Sequence, residues 1–240
     1  MAIKAIFFDL DDTLHDHLYP FSKAFKDSFP HHYEQMDVVS LYKKFRDFSD
    51  LLWKRYSNHE LTLEELRIAR IVMAFEFFQK GISNEQASQF QAQYELNCDN
   101  LLLFAEVPEL INEIKAKGIL VGIITNGPVQ HQFNKINSLG MTSYVSRNHI
   151  FISDEVGVAK PNKQIFQHVA QKVNMTPSEI VYIGDSWPND VVAPMEAGWK
   201  AIWYNHRKRL PDTDHKPLAE IDQLLSIIDI VKKKFNAIQR

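Results

Sequence analysis

A chain of 240 residues, 45% hydrophobic and 24% charged, has the composition of an ordinary globular protein and suffices for one large domain or two small ones. Its formal net charge of −3 carries no electrostatic footprint for nucleic acid, and its single cysteine, Cys98, excludes an internal disulfide and a cysteine-built metal centre. The first apolar run is too short for a secretory signal, and none approaches the roughly 18 residues of a membrane span, so a cytoplasmic chain without a membrane partner is expected.

Residues 3–8 are a continuous apolar run ending at Asp9, the pattern of a strand buried on both faces. Residues 16–104 carry no strand pattern. They read as helices over about 38–56, 63–80 and 84–98, and they hold more than half of the chain's 28 aromatics in well under half its length. A short helical bundle needs large side chains to fill its core, so an inserted helical cap domain is expected there. From residue 105 helix and strand alternate: helix 107–117, strand 120–124, helices 129–139 and 163–173, strand 180–183, a helix ending near 197 and strand 201–204. Alternation of this kind predicts an α/β doubly wound parallel sheet, Rossmann-like, built from residues 1–15 and 105–240. The Asp9 strand should be central, between the Thr125 and Asp185 strands. Gly81, Gly118, Gly140 and Gly198 follow helical stretches and read as C-terminal caps. Gly122, Gly127, Gly157 and Gly184 lie near polar clusters, where a missing side chain lets backbone approach a ligand.

Four clusters carry chemistry, and doubly wound sheets place ligands at the carboxyl ends of strands. Asp9-Leu10-Asp11-Asp12-Thr13 follows the first strand; two carboxylates two residues apart in extended chain share a side and call for a cation or a shared proton. A hard dication prefers such oxygens. Thr125-Asn126-Gly127 offers a hydroxyl and backbone N–H groups to phosphate oxygens. Lys160-Pro161 supplies an ammonium, with Pro161 suited to the first turn of a helix. Gly184-Asp185-Ser186-Trp187-Pro188-Asn189-Asp190 places two more carboxylates at a strand end. Each alone also reads as an ordinary capped turn or, for Lys160, a surface lysine.

In this order the segments IFFDLDDTL, GIITNG, GVAKPNKQIF and YIGDSWPND resemble the haloacid dehalogenase superfamily, in the branch with a helical cap inserted after the first motif. The resemblance implies an aspartyl-phosphate mechanism with Mg2+. Asp9 would be nucleophile and metal ligand. Asp11 would be general acid/base, its backbone carbonyl on the metal and its pKa raised by neighbouring carboxylates. Thr125 and Lys160 would hold the phosphate and steady Asp9. Asp185 would be a metal ligand, and Asp190 would act through water or Lys160. Backbone N–H groups around Asp11, Asn126 and Gly127 would complete the phosphate cradle.

A dehalogenase needs no acid two residues after its nucleophile, because halide leaves unprotonated; Asp11 therefore favours phosphoryl chemistry. The stretch SDEVGVAKPNKQIF, the GIITNG motif and Leu52-Trp53-Lys54-Arg55-Tyr56 resemble the pyrimidine 5′-nucleotidases, which implies a nucleoside monophosphate as the small phosphate-ester substrate. A sugar-phosphate or phosphoglycolate phosphatase, a phosphomutase and a catalytically silent binding module are the alternatives. Where relatives carry a Pro-Gly turn on the return from the cap, this chain has Phe104-Ala105-Glu106-Val107-Pro108. Monomer and homodimer both stay open. Trp53, Tyr56, Phe45 and Phe48 read as cap core, with base stacking as the alternative. Trp187 reads equally as packing or as part of a substrate entrance. His15 and His17 read as a surface hinge, with a ligand-facing role as the alternative; the run His206-Arg207-Lys208-Arg209 reads as a solvated loop, with attraction of an anionic substrate as the alternative; and Cys98 reads as a buried small apolar residue. His31 and His32, being adjacent, do not have a helical ligand spacing.

Overall fold

The computed structural model describes residues 2–235. The chain divides into two compact units. One takes the described residues of Met1–Asp16 and Leu102–Arg240; the other is His17–Leu101.

The first unit begins with β1 (Ala5–Phe8), all four residues of which are buried. The helical unit follows, with α1 (Leu18–Ser28), α2 (Pro30–Tyr33), α3 (Val38–Ser57), α4 (Leu63–Phe77) and α5 (Asn84–Asn97). The chain then resumes the first unit with α6 (Val107–Ala116), β2 (Leu120–Thr125), α7 (Val129–Ser138), β3 (Ile150–Ile152), α8 (Ser153–Val156), α9 (Gln164–Lys172), β4 (Ile180–Gly184), α10 (Ala193–Glu196), β5 (Lys200–Tyr204), β6 (Ala219–Ile221) and α11 (Ser226–Phe235). The sheet order is β3-β2-β1-β4-β5-β6, and every pairing is parallel. Phe8 is level with Ile123 of β2 and Ile183 of β4, so residues that leave these three strands emerge at one end of the sheet. The central position expected for the Asp9 strand is the one observed.

Local chemistry sets the boundaries. Thr62 and Ser83 start α4 and α5 with reciprocal capping boxes to Glu65 and Gln86, and the Asp37 carboxylate accepts from the Ser40 N–H at the start of α3. In the helical unit Phe21 is the hub of the core, its ring 4.9–6.3 Å from those of Phe25, Tyr42, Phe45, Phe90 and Tyr94. Such offset and edge contacts add to the burial of each ring. Phe45 therefore belongs to the core; Trp53 and Tyr56 pair with each other at 4.9 Å and stay half-buried. His17 is buried as well, stacked on Tyr94 at 5.5 Å with its Nε2 3.9 Å from Cys98 Sγ, and His15 is fully enclosed. The surface-hinge reading of both histidines is thus overturned.

Three other expectations change. Gly81 is not a left-handed cap: the turn after α4 is made by Gln79, at φ 56°. Gly122 faces the core, where a Cβ would fall on the Phe7 ring, so the glycine admits an aromatic rather than a ligand. Pro161 lies in a turn, after a cis Lys160–Pro161 bond, and α9 starts only at Gln164. Strands β3 and β6 escape the sequence pattern because each has only three residues.

Candidate active site

Asp9 extends the β1 ladder by one bond, donating its N–H to Ile183 O at 2.9 Å. Its carboxylate comes to the mouth of the sheet, where it meets Asp185 and Asp190 from the segment after β4. One oxygen from each of the three lies within 4.8 Å of the others, and all three residues are buried. Like charges so close repel strongly in a dry site. Lys160 offsets part of this. Its ammonium donates to Asp9 Oδ1, Asp190 Oδ1 and the Tyr182 hydroxyl, each at 2.8 Å, and Tyr182 in turn donates to Ile124 O at 2.6 Å. Burial works against the ammonium, but Asp190 and Asp9 more than reverse it and hold Lys160 protonated well above the usual lysine range. Burial pushes Asp190 up to about 6, with Lys160 opposing and the Asp9 charge adding to the rise.

Asp190 sits on a π-helical turn, Trp187–Val192, and its Oδ2 accepts from Ser186 N at 2.9 Å. Both of its oxygens thus have protein donors. It buttresses Lys160 directly, which leaves Asp9 and Asp185 as the side chains suited to a cation. A Cβ on Gly184 would fall inside the Asp190 carboxylate, so the glycine makes room for this acid. Trp187 packs on Trp203 at 4.6 Å and donates to Thr213 Oγ1 at 2.8 Å, which answers its role in favour of packing. The Asp185 backbone carbonyl accepts from Trp203 Nε1 at 2.9 Å, and Arg209 Nη1 stands 3.8 Å from Asp185 Oδ2.

The second cluster is tied to Lys160 and to α7. The Asn126 amide clamps the Lys160 backbone, donating to its carbonyl at 2.8 Å and accepting its N–H at 2.9 Å. Gln132 Nε2 donates to Thr125 Oγ1 at 2.6 Å and to Asn126 O at 2.9 Å. The Gly127 N–H, expected in a phosphate cradle, donates to Ser153 Oγ at 2.9 Å. Gly127 is required all the same: its φ is 148°, and a Cβ there would lie 2.7 Å from Gln132 Cγ.

Asp11 is placed differently. Both of its oxygens accept from Lys135 Nζ at 2.6 Å, and Oδ1 is 2.9 Å from His15 Nε2. Two basic side chains thus face this carboxyl. Asp12, the next residue, adopts φ 63° and is fully buried. Arg207 holds it in a fork, Nη2 to Oδ1 at 2.7 Å and Nε to Oδ2 at 3.3 Å, and also reaches Asp16 Oδ1 at 3.0 Å. The 206–209 run is therefore not a solvated loop. Of its four side chains only Lys208 is largely exposed, while His206 stacks on Tyr204 at 4.4 Å and burial, with Arg207 adding, pushes it down to about 4.

The structure thus unites Asp9, Lys160, Asp185 and Asp190, and links Thr125 and Asn126 to them through the Lys160 backbone. Gln132, Lys135 and Tyr182 went unread, Ser153 entered only as part of a matching stretch, and Arg207 was read as solvent-facing. For Gln132 and Lys135 a signal existed: with Ile136 they form the buried face of α7, where a polar side chain requires a partner.

A model of the haloacid dehalogenase-like hydrolases matches residues 3–198. The glyceraldehyde 3-phosphate phosphatase of Methanopyrus kandleri is 26% identical over 96% of this chain and 98% of its own. The pyrimidine 5′-nucleotidase YjjG of Escherichia coli is 28% identical over 92% and 96%. Among solved structures, the L-2-haloacid dehalogenase RSc1362 shares the fold, with a TM-score of 0.76 at 19% identity over 97% of this chain and all of its own.

Proposed function

We propose that this chain, which belongs to the haloacid dehalogenase-like hydrolases, is a magnesium-dependent phosphatase that passes the phosphoryl group of a small monoester to Asp9 and then to water. The observation that carries the reading is the convergence of Asp9, Asp185 and the Lys160–Asp190 pair at the carboxyl ends of adjacent parallel strands. Buried carboxylate oxygens in this number fit a hard dication. Asp9 and Asp185, with the Asp11 backbone carbonyl, would hold Mg2+. Bound there, the ion supplies positive charge against the phosphate oxygens and orients the ester.

The remaining steps belong to the chain itself. An Asp9 oxygen attacks phosphorus while the bond to the ester oxygen breaks, which leaves an aspartyl-phosphate. The leaving oxygen takes a proton from the Asp11 carboxyl. The resulting Asp11 carboxylate then takes a proton from a water that attacks the same phosphorus. The Asp9–phosphate bond breaks, inorganic phosphate departs, and both acids return to their starting states. Lys160 holds Asp9 in place and offsets the repulsion between nucleophile and dianion. Thr125 and the Asn126 backbone serve the phosphate oxygens; the Gly127 N–H, which donates to Ser153 Oγ, could do so only by releasing it.

The substrate is proposed to be a pyrimidine nucleoside 5′-monophosphate. The Leu52–Tyr56 phrase and the relative from Escherichia coli support this; the relative from Methanopyrus kandleri makes glyceraldehyde 3-phosphate the second choice. Residues 16–104 are proposed as a helical cap domain that sets the choice between them, and residues 1–15 and 105–240 as the catalytic core.

Phosphate release by purified protein with Mg2+ across nucleoside monophosphates, triose and hexose phosphates and phosphoglycolate tests the substrate. In the same assay Asp9→Asn retains the far-UV circular dichroism of the parent and loses at least about a thousandfold in kcat, as when a covalent nucleophile is removed. Near-parental turnover in that variant would sink the nucleophile assignment.

A further inference from the structure

We infer that α7 is a positioning element for the reaction, acting through two buried polar residues three apart: Gln132 makes the Thr125 hydroxyl a donor, and Lys135 sets the resting place of the Asp11 carboxyl. This rests on the phosphatase reading above. The spacing puts both side chains on one helix face, and both residues are at least nine-tenths buried.

For Gln132 the geometry decides the chemistry. Asn126 O, 2.9 Å away, only accepts, so the amide must present its NH2 end to it. The same Nε2 lies 2.6 Å from Thr125 Oγ1 and donates to it. The hydroxyl proton of Thr125 is therefore directed elsewhere, and Thr125 acts as a donor, the role a phosphate oxygen or the Asp9 carboxylate requires. Gln132 also packs against Gly127, so one side chain fixes both ends of the Thr125-Asn126-Gly127 turn.

For Lys135 the argument concerns position. Its ammonium meets both Asp11 oxygens at 2.6 Å, and His15 holds one of them from the other side. To serve a leaving oxygen the carboxyl must turn from Lys135, and between the two half-reactions it returns to the same cation. Without Lys135 the carboxyl loses the cation that meets both of its oxygens, and a misplacement of about 1 Å can cost on the order of a hundredfold in rate.

The test compares an alkyl phosphate, whose leaving oxygen needs a proton, with 4-nitrophenyl phosphate, whose leaving oxygen does not. Full-length protein with Mg2+ is assayed as parent, Lys135→Met, Asp11→Asn and the double variant. Lys135→Met is expected to lose on the order of a hundredfold in kcat/KM on the alkyl ester and much less on the aryl ester, while kcat falls on both, because the same carboxyl activates the water of the shared second half-reaction. It should add little to the loss already caused by Asp11→Asn, since residues acting through one another are non-additive. Lys135→Arg, which keeps the cation, should recover most of the activity. Equal losses of kcat/KM on both esters, or a loss that adds fully to that of Asp11→Asn, would overturn the role of Lys135. Gln132→Glu, which turns two acceptors toward Thr125 and Asn126 O, should weaken inhibition by inorganic phosphate about tenfold on the scale of one charge-assisted hydrogen bond, while Gln132→Met weakens it less. Unchanged phosphate inhibition in Gln132→Glu would overturn the role of Gln132. Parent protein that releases phosphate from neither ester would remove the phosphatase reading itself, and this inference with it.

Discussion

An ammonium has three hydrogens, and those of Lys160 go to Asp9, Asp190 and Tyr182. The lysine therefore acts on a phosphate chiefly as a fixed charge; a hydrogen bond to substrate would require it to release a protein partner. The same count explains why it is hard to replace. Lys160→Met leaves two buried carboxylates facing each other with no cation between them, and breaking a buried pair from one side costs about 3–5 kcal/mol. Urea denaturation of the variant without Mg2+ should show that loss as a lower midpoint at unchanged slope. Lys160 and Asp190 stood out in the sequence as members of spaced motifs. Tyr182 did not, because a tyrosine in an apolar strand reads as core, and only the register of β4 beside β1 brings its hydroxyl to the ammonium.

At the scale of elements, β1 and β4 are joined before they begin to pair. Lys4 precedes β1, and its ammonium is 2.6 Å from Glu179, which precedes β4. Hydrogen bonds from Lys4, then from the backbone and side chain of Thr176, lower Glu179 to about 2. The folded pKa lies below the unfolded one near 4.5, so the contribution is fully present above pH 4.5 and is lost as pH falls toward 2. The melting temperature of Glu179→Gln should accordingly lie below that of the parent at pH 6, and the gap should close by about pH 2 if both still fold there. A gap that persists undiminished in acid would mean that the glutamate acts through packing alone. Elements also show where reading the sequence succeeds. Helices with capping boxes and the long strands are legible, because N-cap chemistry and apolar runs are local. The strand β6, Ala-Glu-Ile, has no local signature; it pairs because β5 offers it an edge.

For the molecule as a whole, the site gathers three buried carboxylates, Asp9, Asp185 and Asp190, around the ammonium of Lys160. A cation bound by the folded chain stabilises it by mass action, about 2.7 kcal/mol at a hundredfold excess over Kd. The melting temperature should therefore rise with MgCl2, and Asp185→Asn should flatten that response; equal shifts in parent and variant would place the cation elsewhere. Fold and motif positions were legible from sequence, since four short clusters fell in one order, three of them at strand ends. What held them was not. Asp11 meets Lys135 across 124 residues of chain, and the basic run read as solvent-facing reaches back to Asp12. Contacts between distant segments leave no periodicity for a sequence to display.

The Arg207–Asp12 fork spans 195 residues, and β1 pairs only with β2 and β4. On the ribosome, then, β1 is among the first elements to emerge and must wait through the whole helical insertion before its first partner strand appears. Its apolar edges stay open meanwhile, a condition under which nascent chains call on chaperones. Asp12 meets its arginine later still, once β5 has left the exit tunnel. A chain that ends before residue 207 has every proposed catalytic residue, yet lacks the arginine that holds Asp12, three residues after Asp9.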